Sequence, residues 1–107
     1  MASSRVILNN KFKEFLGTGN VYFQPPESVK LKFPCIIYSL SNIDTLNADN
    51  RIYNKANKYT VTLVHADPDN TLKEDILDAF EYISMNRIYV SDHLYHYVYT
   101  LYFNKED

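Results

Sequence analysis

The sequence is poor in the residues that most often announce chemistry. It holds one cysteine, Cys35, in 107 residues, so no internal disulfide can form. Cys35 lies in "PCIIY", a strand-like run, where it reads as a small buried hydrophobe rather than a reactive thiol. Only two glycines are present, Gly17 and Gly19, which leaves little of the tight backbone that cofactor loops use. Their stretch, "GTGN", has neither the third glycine nor the lysine of a phosphate loop. Lysines and arginines are scattered without forming a block and the formal net charge is -2, so the electrostatic footprint of a nucleic-acid binder is missing. No run approaches the roughly 18 consecutive apolar residues of a membrane span. The stretch "MASSRVILNN" has no small-residue cleavage pattern, and the expectation is a soluble chain made in a cytoplasm.

What is present is aromatic. Ten tyrosines and six phenylalanines stand beside no tryptophan. Tyrosine joins a large apolar body to a polar tip and suits surfaces that are alternately wet and covered. A hydrophobic share of 46% with 22% charged residues is ordinary for a globular chain. This length predicts one domain, 1–107, whose small core leaves a modest stability margin that partner subunits would increase.

The order of elements follows from periodicity. Leu8, Phe12, Phe15 and Leu16 share one helical face, and Gly17 stops that helix. A strand over Val21 to Gln24 ends at Pro25 and Pro26, which cannot donate to a ladder. A second runs from about Cys35 to Leu40 after Pro34. The polar segment 44–56, with Asn or Asp at many positions, reads as a long loop. "NKYTVTLVHA" alternates as a strand, with Tyr59, Val61, Leu63 and His65 on one side. The next segment reads as a helix opened by a Thr71–Glu74 capping box, with Leu72, Ile76, Leu77, Phe80 and Ile83 as its apolar stripe. After "SMNR" come a short strand, "IYV", and a last one, "YHYVYTLYF", covered on both faces. The fold class expected is α+β: a mainly antiparallel four- to five-stranded sheet with two helices packed on one face.

A search for chemistry comes back empty. His93 and His96 stand three apart in "SDHLYH", but no third ligand follows at a usual spacing. "HADPDN" opens like a calcium loop at Asp67, yet the sixth position, which needs glycine, is Leu72; Asp67 and Asp69 read instead as turn and cap residues around Pro68. No serine sits in a nucleophile elbow. No catalytic residue, metal ligand or cofactor is assigned, and the reading is non-enzymatic.

"VYFQPP", "FPCIIY", "ADNRIY", "KYTVTLVHADPD" and "RIYVSDHLYHYVYTLYF", in that order and spacing, resemble the small tail-terminator or tail-completion proteins of long-tailed bacteriophages. The resemblance spans about Gly17 to Phe103. It implies a small α+β subunit of a virion neck, assembled as a ring (usually a hexamer) on the last ring of the tail tube. Such a ring ends tube polymerisation and docks onto the head connector or stopper protein, while DNA passes through its lumen without sequence-specific binding. No enzyme activity, cofactor or membrane is implied.

The residues fit that use in several ways. The Gln24-Pro25-Pro26 corner, with Tyr22 before it, makes a preshaped contact at low ordering entropy, although the same three residues also serve simply to end a strand and turn the chain. Asp49, Asn50, Asp67 and Asp69 are candidates for a lumen or ring face, because acidic and neutral side chains let phosphates slide. Tyr53, Tyr89, His93 and His96 complete the expected interface set. Competing readings are another neck component, such as a head-completion or stopper protein, and a non-viral protein-binding module.

Overall fold

The computed structural model describes residues 4–17, 19–25, 28, 30–48 and 51–104. Its elements are α1 (Ser4–Leu16), β1 (Val21–Phe23), β2 (Cys35–Ala48), β3 (Arg51–His65), α2 (Leu72–Ala79), β4 (Ile83–Ser91) and β5 (Leu94–Asn104). The five strands form one sheet in the order β1-β2-β3-β5-β4. Every pairing is antiparallel except β1 with β2, so the class is α+β with a mixed sheet. The long connection between β1 and β2 lets the chain return and pair in parallel, which a tight turn cannot do.

The core follows the pleat. Ile36 and Tyr38 of β2 face Leu63 and Val61 of β3, which in turn face Tyr97 and Tyr99 of β5. All six are buried, together with Tyr59 and Leu101. Helix α1 adds Leu8 and Phe12, and α2 adds Ile76. The Phe12 ring meets Tyr38 edge-on at 5.2 Å and Phe80 at 5.9 Å. Polar tips are satisfied where they enter: Tyr38 Oη donates to Asn9 Oδ1 at 2.7 Å and Tyr99 Oη to the Lys73 carbonyl at 2.9 Å. Gly17 ends α1 with φ of 69° and its N–H on the Lys13 carbonyl, the left-handed closure glycine supplies without a Cβ penalty.

Several expectations need correction. The segment 44–56 is not a long loop: β2 runs to Ala48 and β3 starts at Arg51, paired from Cys35↔Val64 to Ala48↔Arg51 with register shifts between Leu40 and Asn42 and between Leu46 and Asn47. β5 reaches β3 only as far as Ala56↔Asn104, so the hairpin continues past the five-stranded sheet as a ribbon of two strands. Backbone pairing alone defines such a ribbon, and the Asn and Asp residues that mark turns elsewhere do not prevent it.

Helix α2 stops at Ala79, and Phe80 is extended. Ile83 therefore belongs to β4, which also absorbs "SMNR". Phe80 and Ile83 both pack on the core, so a stripe read as one helix is shared by two elements. The α2 cap is also different. Thr71 makes no side-chain cap bond, whereas Asn70 Oδ1 accepts from the Lys73 N–H at 3.1 Å. Asn70 is buried, and its amide donates to the Asp67 carbonyl at 2.7 Å and Tyr97 Oη at 3.3 Å. Strand β5 buries Tyr97, Tyr99 and Leu101 on one side only; His96, Val98 and Thr100 are half-exposed on the other.

β4 and β5 join through Asp92 and His93, both with positive φ, 52° and 64°. Two successive left-handed residues make the hairpin turn whose twist matches the flanking strands, and glycine is preferred at the second of them. His93→Gly is expected to stabilise the fold by about 1 kcal/mol, read as a Tm rise of roughly 4–8 °C. A lowered Tm would mean that the His93 side chain makes a stabilising contact that outweighs its backbone strain.

Candidate functional site

The Gln-Pro-Pro corner is tied to the sheet. Gln24 takes φ of 44°, its N–H donates to the Tyr38 carbonyl at 2.9 Å, and its Oε1 accepts from the Leu40 N–H at 3.4 Å. The Gln24 side chain thus extends the β1–β2 pairing one step beyond Phe23, where the backbone has already turned away. Pro25 follows, half-buried. Tyr22 Oη accepts from the Lys32 N–H at 3.3 Å, pinning the chain that leads into β2 against β1. Arg5 of α1 lies 4.9 Å above the Phe23 ring.

Pro26, Asp49 and Asn50 lie outside the described residues, as does the side chain of Tyr53, whose backbone belongs to β3. Asp67 and Asp69 stand exposed in the turn before α2. Asp67 Oδ1 accepts from the Asp69 N–H at 2.9 Å, and the Asp67 N–H donates to His65 Nδ1 at 3.0 Å. His93 and His96 part company: His93 is in the β4–β5 turn, while His96 pairs across strands with Tyr89. The Tyr89 and His96 rings stack at 4.6 Å and 10°, and the Arg87 guanidinium sits 4.7 Å over the same tyrosine. Among the described residues no group of three or more His, Cys, Asp or Glu converges as a metal site. No helix among them is long and apolar enough to cross a membrane.

Three buried groups are pushed away from ionisation. Burial raises the Cys35 thiol to about 11 and lifts the Tyr99 phenol well above its usual range. Burial also raises Tyr38, against the opposing hydrogen bond from Arg5. A thiol held protonated in this way is a poor nucleophile.

The most distinctive surface was not anticipated from sequence. β4 is an edge strand, and its register with β5 shifts between Met85 and Arg87. Asn86 is the extra residue, held by its amide to Thr100 Oγ1 at 2.6 Å. The shift reverses the alternation, so Ile88 and Val90 point to the same side of the sheet as the buried Tyr97 and half-buried Tyr95. Ile88 is nevertheless 56% exposed and Val90 59%. Tyr82, just before the strand, is 60% exposed and lines a half-open hollow with Lys11, Phe80, Glu81 and Tyr102. The one readable signal was "RIYV", apolar at successive positions where a half-solvated edge should alternate.

The charges around this edge are mainly acidic, although Arg87 of β4 and Lys11 of α1 are exposed cations beside it. α2 exposes Glu74, Asp75 and Asp78, and Glu81 follows it. The helix's cation, Lys73, is turned inward, bonding the Pro68 carbonyl at 3.1 Å and the Asn70 carbonyl at 2.5 Å. No protein-family model, curated protein or solved structure matches this chain.

Proposed function

We propose that this chain is a structural subunit of a phage tail neck, a tail terminator that closes the tail tube as a ring of its own copies. The observation that carries the reading is the edge of β4: Ile88 and Val90 extend the core side of the sheet past its cover, and Tyr82 adds a third exposed hydrophobe. A small monomer seldom leaves large hydrophobes exposed along an open sheet edge unless a partner covers them. In this reading the two helices pack on one face of the sheet and lateral neighbours complete its ends. The tail tube protein meets one rim of the ring and the head connector or stopper the other, and the turn bearing Asp67 and Asp69 lies toward the DNA conduit. The protein acts without catalysis or cofactor and resides in the virion after synthesis in the bacterial host.

The test is assembly. Light scattering after size exclusion, with negative-stain images of the largest species, should find closed rings, either free or on adding purified tail tubes. Tubes incubated with the protein should stop growing and carry it at one tip. Tubes that elongate unchanged in its presence would end this reading.

A further inference from the structure

The two lateral ends of the sheet are chemically unlike. At one end β4 packs beside α2, and the exposed side chains include the apolar Ile88 and Val90 with the carboxylates of Glu74, Asp75 and Asp78, which outnumber the exposed Arg87 of β4. At the other end β1 packs beside α1. There the exposed charges are Arg5 and Lys13 of the helix, countered only by Glu14 in the described part of α1, with Lys30 and Lys32 on the chain that runs beside Tyr22. One end is acidic around an apolar edge, and the other is basic.

We infer that the acidic β4/α2 flank of one copy docks on the basic β1/α1 flank of the next, head to tail. This specifies the partner in the ring reading above and rests on it. Complementarity between opposite ends of one chain is what a second copy requires and what an unrelated partner does not. An unrelated protein would account for one flank and leave the other without a reason. Two different flanks also make the contact heterologous, so repetition of a single operator gives a closed ring or an open filament rather than a two-fold dimer. The charges set partner choice and register, and burial of Ile88 and Val90 supplies the apolar contribution.

Charge reversal on exposed positions tests this. The acidic-flank variant is E74K/D75K/D78K and the basic-flank variant K13E/K30E/K32E, each first checked for native circular dichroism and Tm. By sedimentation across concentrations, the native chain should self-associate, and more weakly as salt rises. Each variant alone sets like charges against each other and should associate about a hundredfold more weakly. Mixing the two variants, or combining all six changes in one chain, should restore association, because the attraction is re-created with its signs exchanged. Association of the single variants as strong as native, failure of both rescues, or a native chain monomeric at every concentration and salt would overturn the flank pairing. Should either variant fail to fold, the salt series on the native chain still decides, since salt-independent association would also overturn it. The two readings fail separately. Rings that survive both reversals would leave the terminator reading standing with a different interface. Flank-dependent open filaments that never cap a tube would keep the docking and remove the terminator.

Discussion

Replacing Phe12 with alanine is expected to cost about 3–5 kcal/mol, the largest effect of any single change proposed for this protein. Phe12 is fully buried and couples three elements: its ring touches Tyr38 of β2 and Phe80 after α2, and its backbone carries α1. Its loss leaves a cavity between helix and sheet that the rigid Tyr38 ring cannot refill by rotating. The damage spreads, because α1 also supplies Asn9 to the Tyr38 hydroxyl at 2.7 Å. A helix that loosens there leaves a buried hydroxyl without its partner. Small domains hold about 5–15 kcal/mol in total, so the variant should unfold at a much lower urea midpoint, read by circular dichroism. Phe15→Ala, at a half-buried position that meets Phe80 at 6.3 Å, should cost clearly less. Equal costs for the two would refute the assignment of Phe12 as the anchor of α1.

The second large effect is alkaline unfolding. Cys35 has an ordinary value of 9.0 and is raised to about 11 in the fold; Tyr99 and Tyr38 are raised from 10.0. The largest cause is the same for all three: burial penalises the charged form. These groups are neutral when folded and ionise more readily when unfolded, so raised values contribute stability that is complete below the unfolded pKa. That stability is lost as pH rises through the folded one. The urea midpoint should therefore hold to about pH 9, fall between pH 9 and 11 as unfolded Cys35 ionises, and fall more steeply above pH 10 as the tyrosines join. Each fully engaged group contributes a slope of about 1.4 kcal/mol per pH unit. Cys35→Ala should move the onset from about pH 9 to about pH 10, whatever it does to the baseline. An onset unmoved by that change would show that the thiol is not buried as described.

How much of this was legible beforehand depends on how local each cause is. Gly17 ends α1 through its own backbone, so its role could be read directly. The alternation of Tyr59, Val61 and Leu63 encodes a buried face in one strand, and it became the centre of the core. The Asp67-Pro68-Asp69 turn likewise announced itself. In contrast, Asn70 rather than Thr71 caps α2 because Tyr97, twenty-seven positions away, meets its amide. Phe80 and Ile83 mimicked a helical stripe because a helix end and a strand start can point into one core.

The sequence by itself determined the α+β class and the apolar faces of α1 and β3, since these follow from periods of two and 3.6 residues. Only the tertiary structure decided that β1 lies parallel to β2, that the polar 44–56 segment carries paired strands, and that Gln24 completes the sheet with its side chain. It alone placed Ile88 and Val90 at an uncovered edge beside the carboxylates of α2, opposite the lysines that follow β1. Neither the bulge at Asn86 nor the separation of the two flanks has a local sequence cause. Both arise because strand order and register bring distant segments together, and no window along the chain contains that information.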